Sequence, residues 1–372
     1  MKKNELRTPC YIVSKSKITE NLELLKSVAD AAGAKILLAQ KAFSMYSLYP
    51  LISKYLAGTT ASGLYEAKLG KEEMGGETHV YSPAYRDDEI DEIIELCDHL
   101  VFNSPEQIKK YQERVLKKGK SIGLRINPEC STQDHAIYDP CAKGSRLGTT
   151  AAHLTESDLE NVDGLHFHTL CEQNSDALKT TINAVEEKFG KYLYKMKWVN
   201  FGGGHHITRQ DYDIETLIEC INHIKTKYDV QVYLEPGEAV ALNAGTLLTE
   251  VLEIVENDLK IAILDTSAAC HMPDVLEMPY RPPLKTSAMP YEKQYTYRLS
   301  SATCLAGDII GDYSFDEPLK IGQKLEFEDM AIYSMVKNNT FNGMRLPDIV
   351  LDDNGDYLVV RSFGYEDFKG RL

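Results

Sequence analysis

Residues 35–41 read KILLAQK, a short apolar run that ends on a lysine. Four consecutive apolar residues with polar ends and no 3.6-residue period suit a strand buried on both faces. Upstream, residues 17–32 carry the spacing of an amphipathic helix, and downstream the same alternation keeps returning. Short apolar runs predict further strands at 56–62, 78–82, 99–103, 121–127, 164–169, 197–201 and 231–235. Most are separated by helical stretches such as DDEIDEIIELC from residue 87 and SPEQIKKYQERVLKKG from residue 104. In the latter Ser104 suits the cap and Pro105 the first turn. Eight strands alternating with helices predict an α/β fold, a (β/α)8 TIM barrel over residues 12–241. Chemistry in such barrels collects where the strands end, here at Lys41, Ser62, Asn127, His168, Gly202, Gly203, Gly204 and Glu235.

After about Ala241 the period changes. TLLTEVLEIVE, KIAILDTS, YRLSSATC, QKLEFEDMAIYS and DYLVVRSF are short alternating or β-branched runs. They predict a C-terminal β-rich domain, sandwich-like or barrel-like, over residues 242–372. Residues 1–11 are assigned to the same domain, and TPCYIVS at 8–14 offers it one more strand.

The composition narrows the partners. With 43% hydrophobic and 26% charged residues, the 372-residue chain has the make-up of a globular protein with a large core. Forty-one basic against 56 acidic residues give a net charge of −15, which repels nucleic acid and anionic membranes and favours a small cationic substrate. The N-terminus has no apolar segment of signal-peptide length and no later run reaches spanning length, so a cytoplasmic location is expected. Eight cysteines without a CxxC pair indicate reduced thiols, with neither a disulfide framework nor a structural metal.

Lys41 is the first candidate for chemistry, because a barrel interior would desolvate its amine and lower its pKa. The run NFGGGH at 200–205 offers glycine amides that approach a phosphate without side-chain obstruction. Glu235, in LEPGE, precedes a sharp Pro-Gly turn and suits the mouth, where a carboxylate can hold a pyridinium proton. His166 and His168 alternate along one strand, so one imidazole can lie against a flat cofactor. The competing reading is an HxH metal pair joined by His205 and His206, as in a barrel hydrolase. Cys304, four residues before Asp308, is a thiol able to hand a proton to a carbanion.

Together these residues resemble the alanine racemase-like, fold type III, decarboxylases of ornithine, arginine, diaminopimelate and carboxynorspermidine, over nearly the whole chain. The resemblance implies pyridoxal 5′-phosphate on Lys41, with His168 stacked on its ring, Gly202, Gly203 and Gly204 about its phosphate, Glu235 at the pyridine nitrogen, and Gly237 also in the cofactor site. It further implies Cys304 as the acid, with Tyr333 and the FNG segment at 341–343, and a homodimer whose active sites are shared between copies. Two departures stand out: EPGE, with Glu238 where relatives carry arginine, and HTLCEQ in place of an HxGSG-like turn. An acid at that point resembles the branch acting on carboxynorspermidine and carboxyspermidine, in which Glu238, Asp274 and Asp308 are expected around a polyamine chain. Diaminopimelate is the nearest alternative substrate. A non-catalytic pyridoxal-phosphate carrier shares the barrel but lacks a β-domain.

Overall fold

The computed structural model describes residues 1–133 and 136–372, which divide into two compact units, Glu20–Val240 and Met1–Thr19 together with Ala241–Leu372. In the first, eight parallel strands run Lys35–Ala39, Gly58–Ala61, Glu77–Tyr81, His99–Phe102, Ser121–Asn127, Gly164–His166, Trp198–Asn200 and Gln231–Leu234. Each pairs with the next, and the last closes on the first through Tyr233↔Lys35 and Leu234↔Ile36. All eight runs seen in the sequence are strands of this barrel, each within a few residues of its expected ends. The helix Pro105–Lys117 begins as its sequence predicts, with the Ser104 hydroxyl accepting from Gln107 N.

The N-terminal end of the barrel is filled with rings. Trp198 stacks on His99 at 4.9 Å, and His99 on His79 at 4.0 Å, with Tyr233 against all three. Two glycines make room for the indole. A Cβ on Gly164 would lie 2.0 Å from Trp198 Cδ2, and one on Gly123 would lie 2.4 Å from its Cη2. Trp198 Nε1 donates to Ser121 Oγ at 2.9 Å, so the buried indole N–H is satisfied.

In the second unit the sheet order is Ile309–Phe315, Tyr295–Ser301, Leu259–Leu264, Gly245–Asn257, Cys10–Ser14, Asp348–Asp353 and Asp356–Arg361, with Lys324–Glu328 paired to the long Gly245–Asn257 strand. The N-terminal strand sits in the middle, antiparallel to Gly245–Leu248 and parallel to Asp348–Asp352. Tyr11, Leu247, Val251, Leu264, Leu299, Tyr313 and Phe327 form its buried core. Two strands, Ile309–Phe315 and Asp348–Asp353, were not distinguished in the sequence. Gly311 and Asp312 interrupt the first, and acids dilute the second. The second carried an overlooked sign, since Asn354 and Gly355, both at positive φ, form the two-residue turn to Asp356–Arg361.

Among the described residues no helix is long and apolar enough to cross a membrane. The packing at the indole makes a direct prediction. Gly164→Ala forces a methyl into Trp198 and should lower unfolding stability by about 1–3 kcal/mol. A shift in denaturation midpoint checks it, and an unchanged midpoint would show that the indole moves freely.

Candidate active site

At the opposite, C-terminal end of the barrel the strands deliver a charged cluster. Gln40, directly after the first strand, is anchored by Nε2 donating to Glu66 O at 2.8 Å and Oε1 accepting from Tyr49 OH at 3.1 Å. The next residue, Lys41, reaches solvent but lies so closely surrounded that desolvation, aided by the Arg125 charge, lowers its pKa; Glu235 and Glu238 act in the other direction. A lysine in this state is a better nucleophile than one on an open surface.

Glu235 follows the eighth strand. Its Oε1 accepts from Asn200 Nδ2 at 2.7 Å and its Oε2 lies 3.2 Å from His166 Nε2. Burial alone would push this carboxyl up, but His166, His79 and the Asn200 amide outweigh it and hold the pKa down at about 2. The site therefore contains a buried anion beside a lysine. His168 is also fixed: Gly203 N donates to its Nδ1 at 3.0 Å, so the proton of the neutral ring sits on Nε2. Burial first, then the charges of Lys41 and Arg125, keep that imidazole well below its usual pKa.

The glycine triplet follows the seventh strand. Gly202 N donates to Asn200 Oδ1 at 2.8 Å and Gly203 N to His168 Nδ1, so two of the three amides hold site side chains. Gly204 has φ +81°, and a Cβ there would stand 2.0 Å from Leu170 O. Gly237 permits the close approach of the chain after the eighth strand to the chain after the first, since its Cβ would fall 2.6 Å from Ala42 Cβ.

Sequence reading missed Arg125 and Asn200. Arg125 is buried within SIGLRIN, its Nη2 donating to His168 O at 3.1 Å and its guanidinium lying 4.5 Å over the Tyr81 ring. An arginine inside an otherwise apolar strand was the available signal. Asn200 gave none beyond its place before the glycines. As for metals, among the described residues His166, His168, His205 and His206 join no group of three with metal-ligand spacing. Glu77, His79 and His99 do, at the other end of the barrel. There the imidazoles are stacked only 21° from parallel, so their lone pairs do not converge, and Lys35 already pairs with Glu77.

The sheet unit brings its own candidates together. Asp308 is buried, its Oδ2 accepting from Ser267 Oγ at 2.6 Å, Ser301 Oγ at 2.7 Å and Thr303 Oγ1 at 2.6 Å. Its Oδ1 accepts from Ala268 N at 2.8 Å and Ala269 N at 3.3 Å. Both oxygens of Asp308, expected near the substrate, are thus engaged within the sheet unit, and the residue ties the segment at 267–269 to the turn carrying Cys304. Cys304 itself is exposed, its N–H donating to Asn342 Oδ1 at 2.8 Å. Asn339 binds the same neighbourhood through Ala269 O and Cys270 O. Tyr333 sits at φ +47°, a conformation rare for a bulky residue, and Asp274 is partly buried and paired with Lys337.

Acid should weaken the fold for a stated reason. Burial depresses the folded-state pKa of His99 to about 3 and those of His205 and His271 to about 4. The unfolded chain then binds more protons below about pH 6.5, so stability falls as pH drops through that range. The depressed Glu235 carboxyl adds a loss as pH falls below about 4.5 toward about 2. Thermal unfolding followed between pH 7 and pH 4 at constant salt checks this, and a Tm that rose or stayed flat would contradict it.

Comparison with known proteins agrees with this geometry. The family model described as pyridoxal-dependent decarboxylase, C-terminal sheet domain, matches residues 10–331. The carboxynorspermidine/carboxyspermidine decarboxylase of Campylobacter jejuni is 47% identical over 99% of each chain. The carboxyaminopropylagmatine decarboxylase of Synechocystis is 41% identical over 99% of this chain and 96% of that one. A crystal structure of the Campylobacter jejuni carboxynorspermidine decarboxylase, complexed with norspermidine, superposes with a TM-score of 0.92 at 45% identity, covering 99% of this chain and all of that one. A barrel whose mouth holds a low-pKa lysine beside a buried carboxylate, a β-rich second unit and full-length relatives of one reaction type lead to the same conclusion: the chain belongs to the pyridoxal-dependent decarboxylases.

Proposed function

We propose that this enzyme removes the α-carboxylate of carboxynorspermidine or carboxyspermidine, giving norspermidine or spermidine, with pyridoxal 5′-phosphate carried on Lys41. The observation that carries the substrate assignment is Glu238. It opens the helical turn Glu238–Ala241 just after the Pro-Gly turn that ends the eighth strand, on the same side of the barrel as Lys41, whose charged form it favours, and so stands where a polyamine chain would enter. Diaminopimelate brings a distal carboxylate that Glu238 would repel. The names of the Campylobacter jejuni relatives support the same substrates. The Synechocystis relative's name supports a second reading, a chain ending in a guanidinium, with the same demand for acids.

The residues fit the cofactor. Lys41 offers the amine, the ionised Glu235 suits the pyridine nitrogen, and His168 offers a ring of fixed tautomer. Gly203 has no room for a Cβ, which would lie 2.6 Å from Glu235 O and 3.1 Å from His168 Cε1. When bound, the cofactor supplies an electron sink for the carbanion left by carbon dioxide. Around it, Arg125 and Glu235 would set the charge of the recess, and Lys41 would hold the cofactor through its amine. Cys304, exposed and oriented through Asn342, is the acid that returns a proton to the α-carbon. Tyr333 and Gly237 complete the cofactor assignment, and the strained Tyr333 backbone supports a functional role. Glu238 and Asp274 are assigned to the substrate's ammonium groups. The active form is a cytoplasmic homodimer in which Cys304 of one copy serves Lys41 of the other.

Borohydride treatment of the holoenzyme should fix the cofactor's mass on the peptide containing Lys41, and Lys41→Ala should lose both the label and turnover. Cys304→Ala should lower kcat much more than cofactor content. Mixing Cys304→Ala with inactive Lys41→Ala chains under subunit exchange should raise activity above that of either alone, and verified exchange without rescue would argue against shared sites.

For the substrate, Glu238→Ala and Asp274→Ala should each lower kcat/KM on carboxynorspermidine or carboxyspermidine by at least about tenfold, the loss of one desolvated charge contact. Assays on carboxyaminopropylagmatine and diaminopimelate decide between the readings. Preferred turnover of the former would move the assignment to the guanidinium-ended chain. Efficient turnover of diaminopimelate would remove the polyamine assignment.

A further inference from the structure

Asp274 is not waiting as a bare anion. Lys337 Nζ donates to its Oδ1 at 2.5 Å and at the same time pairs with Glu277 Oε2. The two acids begin and end the single helical turn Asp274–Glu277, so they face one way along it. One ammonium between two carboxylates leaves a net negative charge. The three groups differ in exposure: the side chains of Asp274 and Lys337 are 21% and 32% exposed, that of Glu277 58%. Burial opposes the Lys337 charge, but its bonds to Asp274 and Glu277 outweigh this and raise its pKa, so the amine is cationic at neutral pH.

We propose that Lys337 is the enzyme's internal stand-in for a substrate ammonium: it holds Asp274 until a polyamine chain arrives, then yields it while staying bound to Glu277. This rests on Asp274 being a substrate ligand, as assigned above. The exchange is inexpensive in free energy because the lysine keeps one of its two partners, and the incoming ammonium brings the cluster to two cations on two anions. A chain without a distal cation gains nothing at Asp274 and leaves Lys337 in place. Lys337 therefore sets specificity by competition, without needing to touch the substrate.

The same lysine lies between Tyr333 and Phe341 in sequence, on a segment held by backbone hydrogen bonds. Its backbone N–H donates to Ser334 O at 3.0 Å, and two residues on, Asn339 N donates to Cys270 O at 2.9 Å, so the segment is pinned on both sides of Lys337. The ammonium is thereby presented to Asp274 and Glu277 together from a fixed point of the backbone.

The test uses the holoenzyme and two substitutions with opposite expected effects. Lys337→Met, which preserves length and removes the charge, should lower KM for carboxynorspermidine or carboxyspermidine by about fivefold at little change in kcat, the scale of a partly exposed ion pair. The inhibition constants of norspermidine and spermidine should fall in parallel. Glu277→Gln removes the retreat partner, confines Lys337 to Asp274 and should raise KM. A purely structural tie predicts no such opposition, since breaking it from either side would disturb Asp274 alike. Shifts in the same direction, or a folded Lys337→Met enzyme with unchanged or raised KM, would overturn the proposal. Should Lys337→Met not fold, Lys337→Gln and the exposed Glu277→Gln serve for the same comparison. Asp274→Asn is the control for the underlying reading: if it leaves KM unaltered, Asp274 is no substrate ligand and that reading fails first.

Discussion

The closure of eight parallel strands into a ring is the constraint on which the barrel site depends. Pairing Tyr233 with Lys35 sets the last strand beside the first, and the residues that follow them, Glu235 and Lys41, become neighbours despite lying almost two hundred positions apart. The seam is tight: Ala39 N donates to Pro236 O at 3.2 Å, and Gly237 has no space for a side chain. Lys41 and Glu235 are thus held by backbone, and the cost of ordering them is met by folding the barrel instead of by binding ligand.

The sheet unit solves a similar problem with a carboxylate. Cys304 and Tyr333 lie on loops and Asp274 opens a single helical turn, and such short segments alone hold geometry poorly. Asp308 binds three hydroxyls and two amides, linking the segment at 267–269 to the turn at 301–304. Asn342 and Asn339 fasten the third segment to those two. A buried anion with its lone pairs filled is stable where it stands, and removing any one donor leaves the others still bound.

Much of this was legible in the chain. The eight barrel strands announced themselves as apolar runs because a strand buried on both faces has no choice of composition, and Lys41, Glu235 and His168 stood out as polar residues at the ends of such runs. Relations across the barrel were not legible. That Gly203 serves His168, that Asn200 serves Glu235, or that Asp308 is saturated by hydroxyls depends on which strand ends lie side by side, and no local pattern records it. Arg125 lay between these cases, visible as a charge in an apolar strand but without a partner until the neighbouring loop was in place. The missed strands at Ile309–Phe315 and Asp348–Asp353 belong to a sheet with weaker alternation, where exposure on one face permits acids and glycine.

The rings packed at the N-terminal end of the barrel bear on traffic through the enzyme. With Trp198, His99 and His79 stacked in turn, Tyr233 set against all three, and Leu37 and Val101 packed with Trp198 and Tyr233, side chains fill the N-terminal end of the barrel. That packed floor directs carbon dioxide and amine toward the mouth by which the substrate came. Each turnover clears the doorway before the next can begin, and residues that line that doorway influence departure as much as arrival.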